Sequence, residues 1–325
     1  MSHTIFVTAA QLAQAGTQLL QDAGCRVIYM KDPSDASEVE AVLASEPVDA
    51  VISRTVELSA RAIERCTRLK VISKHGVGVS NIAVDAATAR GIPVYVTPGA
   101  NATSVAELTL GLMLAAARRI GSMNTALHDG HWTRAQDGLE LRGRTLGLVG
   151  FGQIGQRVAA VGLALGMPVM AFDPALPGGA SPVPGVRLAG TLDELLRASD
   201  VLSLHIPLTP RTRKLIGAEQ LAALPANAIL INTARGEIVD EPALVAALQN
   251  GRLFAAGLDT MAIEPLPADS PLRGLANVVL TPHVGGSTPD ALAGMAVGAA
   301  RNVLGFLLGQ PPHAAACVNP QVLST

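Results

Sequence analysis

Short apolar, β-branched runs alternate in the first part of the chain with segments whose apolar positions recur at helical spacing. The runs are Ile5–Val7, Arg26–Tyr29, Ala50–Ile52, Leu69–Ile72 and Pro93–Val96; between them lie Gln11–Asp22, Ala36–Ala44, Ser59–Cys66 and Ile82–Ala89. Strands alternating with helices predict βα units and a parallel sheet. Ser59 is placed to cap its helix, and Gly91 with Pro93 closes another. A longer helix is expected over Ser104 to Ile120, from Leu108, Leu112, Ala115 and Ala116, with Thr103-Ser104 ahead of Glu107 as a capping box. An irregular polar segment, Asn124 to Leu139, follows and carries Trp132. A second series of runs then begins: Thr145–Val149, Val169–Phe172, Val201–Leu204, Ile229–Asn232, Ala255–Leu258 and Val278–Leu280. A last helical pattern, Ala291 to Leu308, precedes a Pro-rich tail. The rhythm predicts two α/β lobes, with the helix near residue 104 as the crossing between them.

Composition narrows the class. Of 325 residues, 49% are apolar and 15% charged, which excludes a disordered chain. Mean hydropathy is +0.37, yet the longest uncharged apolar stretch, Val158 to Phe172, is broken by Gly162, Gly166 and Pro168 and is too short to span a bilayer. Aromatic residues make up only 2%, so Ala and Gly supply much of the hydropathy, which suits helices packed closely on a buried parallel sheet. The net charge of -2 has no basic stripe behind it, so no nucleic-acid partner is expected. No secretory signal is evident at Met1 to Ala10. Cys25, Cys66 and Cys317 lack disulfide or zinc spacing and read as inert thiols of a cytoplasmic protein. No metal site is expected.

Gly150-Phe151-Gly152-Gln153-Ile154-Gly155 is a G-x-G-x-x-G between a predicted strand and a predicted helix. The first glycine permits the tight turn, the second lets backbone approach a pyrophosphate, and the third packs helix against strand. The helix N-terminus then faces the phosphates. The next strand ends at Asp173, where a ribose-reading acid is expected. Its carboxylate repels a 2′-phosphate, which favours NAD over NADP.

The later strands stop at chemically capable residues or run into them: His205, then Thr233-Ala234-Arg235-Gly236, then Asp259, then Thr281-Pro282-His283. Ligands bind at the carboxyl ends of parallel strands, so these side chains are expected to converge on one cleft. Hydride transfer to a carbonyl needs a proton source and a grip on the substrate. His283 suits the acid–base role, with Glu264 as its orienting carboxylate. Arg235 offers a planar fork for a substrate carboxylate, and Gly236 permits an unusual turn after it. His205 reads as a wall of the cofactor pocket rather than a proton donor. Plainer readings stand beside these: Asp173 as a turn residue before Pro174, Arg235 in a surface ion pair, Glu264 as a solvated loop acid, and His283 as a strand cap.

Together, the Gly150–Gly155 turn, His205-Ile206-Pro207-Leu208-Thr209, Asn232 to Gly236, Gly257-Leu258-Asp259 through Glu264-Pro265, and Thr281 to Gly286 resemble the D-2-hydroxyacid dehydrogenase family. That family includes D-3-phosphoglycerate dehydrogenase and the hydroxypyruvate and glyoxylate reductases. The resemblance implies a Rossmann-type doubly wound parallel sheet over residues 101–286 for NAD. It also implies a smaller flavodoxin-like parallel α/β substrate domain built from residues 1–100 and 287–325, the lobes closing by hinge motion near residues 100 and 286. It makes Arg235, Glu264 and His283 the catalytic trio. It assigns cofactor contacts to Gly150, Gly152, Gln153, Ile154, Gly155, Asp173, Thr103, His205, Pro207, Thr212, Thr233, Ala234, Arg235, Asp259, His283 and Gly286. The loop Gly76-Val77-Gly78 resembles the family's substrate loop, with backbone N–H groups around Val77 and Gly78 holding the substrate carboxylate. A homodimer paired through the cofactor lobe is also implied.

The chain departs from the family pattern in places. Ser80 and Ala83 stand where the loop often has acids, and Thr260-Met261 replaces a common Val-Phe pair. Lys74, His75 and Arg54 are placed to contact a distal anionic group, or are simply solvated. No extension like the regulatory domain of the longer phosphoglycerate dehydrogenases follows, so serine feedback through one is not expected. The expected activity interconverts a D-2-hydroxy acid and its 2-oxo acid, with 3-phosphoglycerate/phosphohydroxypyruvate and hydroxypyruvate/glyoxylate as candidate pairs. The alternatives are an NAD(H)-sensing scaffold of the corepressor type and a phosphite-type dehydrogenase.

Overall fold

A computed structural model describes residues 2–132, 134, 137–176 and 181–323. In chain order the elements are β1 Thr4–Val7, α1 Gln14–Asp22, β2 Arg26–Tyr29, α2 Ala36–Ser45, β3 Ala50–Ser53, α3 Ala60–Arg65, β4 Val71–Lys74, α4 Val84–Ala89 and β5 Val94–Tyr95. Next come α5 Ala102–Ala117, α6 Ile120–His128, β6 Leu146–Val149, α7 Gln153–Ala164, β7 Val169–Phe172, β8 Val186–Leu188, α8 Leu192–Ala198 and β9 Val201–Leu204. Then follow α9 Ala218–Ala223, β10 Ala228–Asn232, α10 Glu241–Gln249, β11 Leu253–Leu258, β12 Val278–Leu280 and α11 Pro289–Leu307. The chain divides into two compact units, one formed by Met1–Asn101 with Gly286–Thr325 and the other by Ala102–Gly285.

The first unit holds a five-stranded parallel sheet in the order β2-β1-β3-β4-β5, the flavodoxin-like arrangement. Strands β1, β3, β4 and β5 are buried on both faces, which explains their apolar runs, while β2 at the edge is only partly buried. Phe6, Val51 and Ile72 feed one core, while Ile5, Val7, Ala50, Ile52 and Val71 feed the other. Each such Val, Ile or Phe side chain contributes roughly 1.5–3 kcal/mol on burial. Ser59 caps α3 by accepting from the Ala62 N–H at 3.1 Å, as its position predicts. The last helix, α11, lies against α1 so closely that a Cβ on Gly16 would sit 2.7 Å from the Ala296 Cβ. Asn302 fastens α11 to Ser73 and to the Val96 carbonyl. Small residues therefore serve helix–helix approach, which accounts for the Ala- and Gly-rich composition.

The second unit holds a seven-stranded parallel sheet ordered β12-β11-β10-β9-β6-β7-β8, the doubly wound Rossmann pattern with its strand order reversing at β6. Four differences from the sequence expectations have local causes. The strand expected at Leu69–Ile72 runs from Val71 to Lys74, because Leu69 instead closes the turn after α3, its N–H bonded to the Cys66 carbonyl. Strand β8 is missed by the pattern because it is short and only Val186 in it is buried. The capping box at Thr103-Ser104 does not form: α5 begins at Ala102, and the Ser104 hydroxyl donates instead to the Gly285 carbonyl at 2.5 Å. The expected long helix breaks at Arg119, whose φ is +50°, and α6 then takes up the start of the segment read as irregular. Residues 133, 135 and 136 of that segment lie outside the described residues.

Candidate active site

The glycine turn divides its labour as the motif requires. Gly150 has φ +92°, and a Cβ there would lie 2.4 Å from the His205 carbonyl oxygen; one on Gly155 would lie 2.5 Å from the Gly150 oxygen. A Cβ on Gly152 would meet nothing within 4 Å, so that face is open for a ligand. Gly152 is also the N-cap of α7 and brings no side chain to its first-turn N–H groups, among them Gln153 and Ile154. This open, uncapped helix start fits a pyrophosphate. Asp173 accepts from the Phe151 N–H and the Ala175 N–H, each at 2.9 Å. Its carboxylate is thereby fixed beside the glycine turn, where it fits ribose hydroxyls and not a 2′-phosphate.

His205 lies at the end of β9 with Nε2 2.9 Å from the Ser203 hydroxyl; its Nδ1 is buried without a partner among the described residues. Burial lowers its pKa to about 4, so the ring is neutral at pH 7 and suits a wall rather than a proton donor. Thr212 donates to the Pro207 carbonyl at 2.7 Å and closes the following turn. Thr103 lies in the first turn of α5. Gly286 falls in the first unit, where a Cβ would crowd Asn101.

After β10 the chain turns sharply. The Asn232 side chain is buried; it accepts from the Ala234 N–H at 3.0 Å and donates to the Arg235 carbonyl at 2.8 Å. Thr233 shares a 2.8 Å hydrogen bond with Thr109 of α5. The Arg235 guanidinium donates to the Ala234 carbonyl. Burial pushes its pKa down, opposed by the charges of Glu264 and Glu237. Gly236 opens a 3-10 turn without a left-handed φ. Its role differs from the expected one: a Cβ would lie 1.9 Å from the Met261 carbonyl carbon, so the glycine admits backbone against backbone.

His283 and Glu264 meet in the same unit, with Nδ1 2.7 Å from the Glu264 carboxylate. Burial alone would raise the Glu264 pKa. The hydrogen bond and charge of His283, the Met261 N–H and Arg235 together hold it below the usual carboxylate range. An ionised Glu264 accepts, so Nδ1 carries the proton, and Nε2 has no partner among the described residues. His283 itself has φ +54°, a costly conformation that the surroundings must impose. Asp259, only 1% exposed, does so. Its carboxylate accepts from the Thr281 hydroxyl and from the N–H groups of Val284 and Gly285, and its carbonyl accepts from the His283 N–H.

In the first unit, Gly76 has φ +130°, and its N–H donates to the Thr97 hydroxyl. The N–H groups of Val77 and Gly78 have no acceptor among the described residues. They remain available to an anion, whereas the Gly76 N–H does not. Lys74 and His75, expected either to contact a distal anionic group or to be solvated, are both buried. Lys74 is 8% exposed, and its ammonium donates to the Arg54 carbonyl and the Asn81 side chain. His75 is buried; burial first, then the charges of Arg54 and Lys74, lower its pKa to about 4. Of the three, only the Arg54 guanidinium has neither an ion pair nor a hydrogen bond among the described residues.

Sequence reading quoted Asn232 and Thr281 within motifs without giving either a role, and did not single out Thr109 or Asn81. The usable signal was a polar residue at the buried end of a strand, directly before a chemically rich turn, as Asn232 is.

Residues 110–285 match the family described as "D-isomer specific 2-hydroxyacid dehydrogenase, NAD binding domain". The chain is 47% identical over 242 residues to a D-3-phosphoglycerate dehydrogenase of Methanocaldococcus jannaschii, covering 74% of this chain and 46% of that protein. It is also 47% identical to a hydroxypyruvate reductase of Thermotoga maritima, covering 75% and 80% of the two chains. The TT0316 protein of Thermus thermophilus superposes with a TM-score of 0.85 at 38% identity, over 97% of this chain and 99% of that one. The match spans about half the length of the D-3-phosphoglycerate dehydrogenase. With the family match covering more than half of its residues, the chain belongs to the D-isomer specific 2-hydroxyacid dehydrogenase family.

Proposed function

We propose that the protein is an NAD-dependent oxidoreductase that interconverts a D-2-hydroxy acid and its 2-oxo acid: 2-oxo acid, NADH and a proton give the (R)-2-hydroxy acid and NAD. The observation that carries this reading is the 2.7 Å pair of His283 and Glu264, with Nε2 of the ring unengaged among the described residues. The bound nicotinamide supplies or accepts the hydride. His283 Nε2 gives its proton to the carbonyl oxygen as that oxygen becomes an alkoxide, and takes it back in oxidation. Glu264 holds the ring in orientation and stabilises the imidazolium. The Arg235 fork holds the substrate and polarises its carbonyl.

The relatives named above act, by their names, on 3-phosphoglycerate and hydroxypyruvate, which supports an acid of that general size. The free thiols Cys25, Cys66 and Cys317 support a reducing, cytoplasmic setting. A homodimer paired through the cofactor unit is supported by α6, which has no buried residue and leaves Ile120 and Leu127 50% and 54% exposed.

The test is to follow NADH absorbance with hydroxypyruvate, glyoxylate, pyruvate and phosphohydroxypyruvate. Turnover that is lost in His283→Ala is expected. Failure to reduce any 2-oxo acid, with NADH still bound, overturns the reading.

A further inference from the structure

The stretch that carries Arg235 and the loop that carries Glu264 belong to successive crossovers of the second unit, after β10 and after β11. They meet backbone to backbone, since a Cβ on Gly236 would collide with the main chain of Met261 and Ala262. Ile238 and Met261, both buried, belong to the same apolar core. Apolar contact is non-directional, so it brings two segments together without fixing how far one slides along the other. A directional bond does that here. Glu241, the first residue of α10, reaches out of its helix and accepts from the Ala262 N–H at 3.1 Å.

The two sides of this bond differ in how firmly they are held. On the Arg235 side, the Lys214 N–H donates to the Glu237 carbonyl, the Ile216 N–H to Ile238, and the Asp240 N–H to Ile216. The Asn232 side chain brackets Ala234 and Arg235. On the Glu264 side, the Met261 N–H donates to Glu264 itself at 3.0 Å, a bond internal to the loop. Ile263 and Glu264 are exposed, so packing does little to place them. Among the described residues, the bond to Glu241 is the one hydrogen bond that ties residues 261–263 to a distant part of the chain. The remaining oxygen of Glu264 then takes the His283 Nδ1 proton at 2.7 Å.

An acid in the first turn of a helix ordinarily acts through the helix dipole. The Glu241 carboxylate instead serves the next crossover. We propose that Glu241 is a positioning residue for the reaction: by holding the Ala262 N–H it fixes the Glu264 loop against the stretch that carries Arg235, and through Glu264 it sets the His283 ring. This rests on the dehydrogenase reading above and deepens it.

The experiment compares the wild type, Glu241→Ala and Glu241→Gln, each also in a Glu264→Gln background, with NADH and the best 2-oxo acid of the panel above. Glu241→Ala is expected to lower kcat about tenfold, as displaced reacting groups do. Reduction should also fall off at lower pH, the direction expected for a weakened Glu264–His283 pair. Glu241→Gln keeps an acceptor oxygen and should recover kcat to within about threefold of the wild type. In the Glu264→Gln background the loss from Glu241→Ala should shrink below about threefold, because the route through Glu264 is already cut. NADH binding serves as the control for folding. Three results each overturn the proposal: a wild-type pH profile in Glu241→Ala, a fully additive loss in the double variant, or a glutamine variant no better than the alanine one, as a dipole role requires. If the wild type reduces no 2-oxo acid, the dehydrogenase reading fails and amide exchange decides the clamp by itself. The Met261 N–H, which is bonded to Glu264, should then exchange about tenfold faster in Glu241→Ala while the glycine turn is unchanged. Equal exchange at Met261 overturns the clamp.

Discussion

The Asp259 carbonyl accepts the His283 N–H at 2.8 Å, and the Asp259 carboxylate binds the two N–H groups that follow, at 2.9 and 2.8 Å. One buried acid at the end of β11 thus dictates the path of the chain after β12. It holds His283 at φ +54°, which aims the ring at Glu264. The His283–Glu264 pair is an outcome of this scaffolding as much as of its own hydrogen bond.

Asp259→Ala removes the acceptor for Val284, Gly285 and Thr281 together and leaves the buried Gly285 N–H unpaired, at about 1–3 kcal/mol before relaxation, with smaller losses at the part-buried Val284 and Thr281. The expected result is a lower Tm and a kcat reduced by at least tenfold. Asp259→Asn, which keeps one acceptor oxygen, should recover part of both. A wild-type kcat in Asp259→Ala would show that the turn does not depend on this acid.

Legibility in the sequence followed the physics of each feature. The βα rhythm was readable because strands buried on both faces leave continuous apolar runs, as Ala50–Ser53 and Val201–Leu204 do. The glycine turn was readable because each of its three glycines answers a steric demand that any side chain would violate or obstruct. Arg235, Glu264 and His283 stood out as polar residues beyond strand ends. What stayed hidden was tertiary. Nothing local reveals that Lys74 binds the Arg54 carbonyl, or that His75 is buried and neutral, because the partners Arg54, Asn81 and Leu292 come from other parts of the chain. The role of Gly236 was hidden for the same reason, since the backbone it admits, at Met261, belongs to the next crossover.

Glu264→Gln keeps the size of the side chain and removes its charge. The imidazolium of His283 loses its counter-charge, so 2-oxo acid reduction should fall off at lower pH than in the wild type. A kcat loss of about 10- to 100-fold is expected. The measurement is the pH profile of NADH oxidation; a profile superimposable on the wild type removes Glu264 from the proton-handling role.

Gly236→Ala tests close approach rather than conformational freedom. The new Cβ would lie 1.9 and 2.1 Å from the Met261 carbonyl carbon and oxygen. Backbone cannot rotate away as a side chain can. A stability loss of about 1–3 kcal/mol is expected, along with a raised KM as Arg235 moves. Urea denaturation and steady-state kinetics on the same sample check both.

Asp173→Asn retains an oxygen to accept from the Phe151 or Ala175 N–H but no longer repels a 2′-phosphate. The ratio of kcat/KM for NADH over NADPH should drop about tenfold, mainly through KM. Equal ratios in wild type and variant would move cofactor discrimination away from Asp173.

His75 predicts an acid-sensitive stability. Its pKa is about 4 in the folded protein against 6.5 for the free side chain, so between those values the unfolded chain binds a proton that the folded chain excludes. Stability therefore rises with pH through that window, and this contribution is lost as pH falls from about 6.5 to 4. At ~1.4 kcal/mol per pK unit the full loss approaches about 3 kcal/mol. His75→Gln has no such proton to exclude, so the slope of unfolding free energy against pH should flatten in that window, whatever the variant's absolute stability. Urea midpoints taken from pH 4 to 7 on both proteins provide the comparison, and parallel slopes would show that His75 is not the buried neutral group the fold makes it.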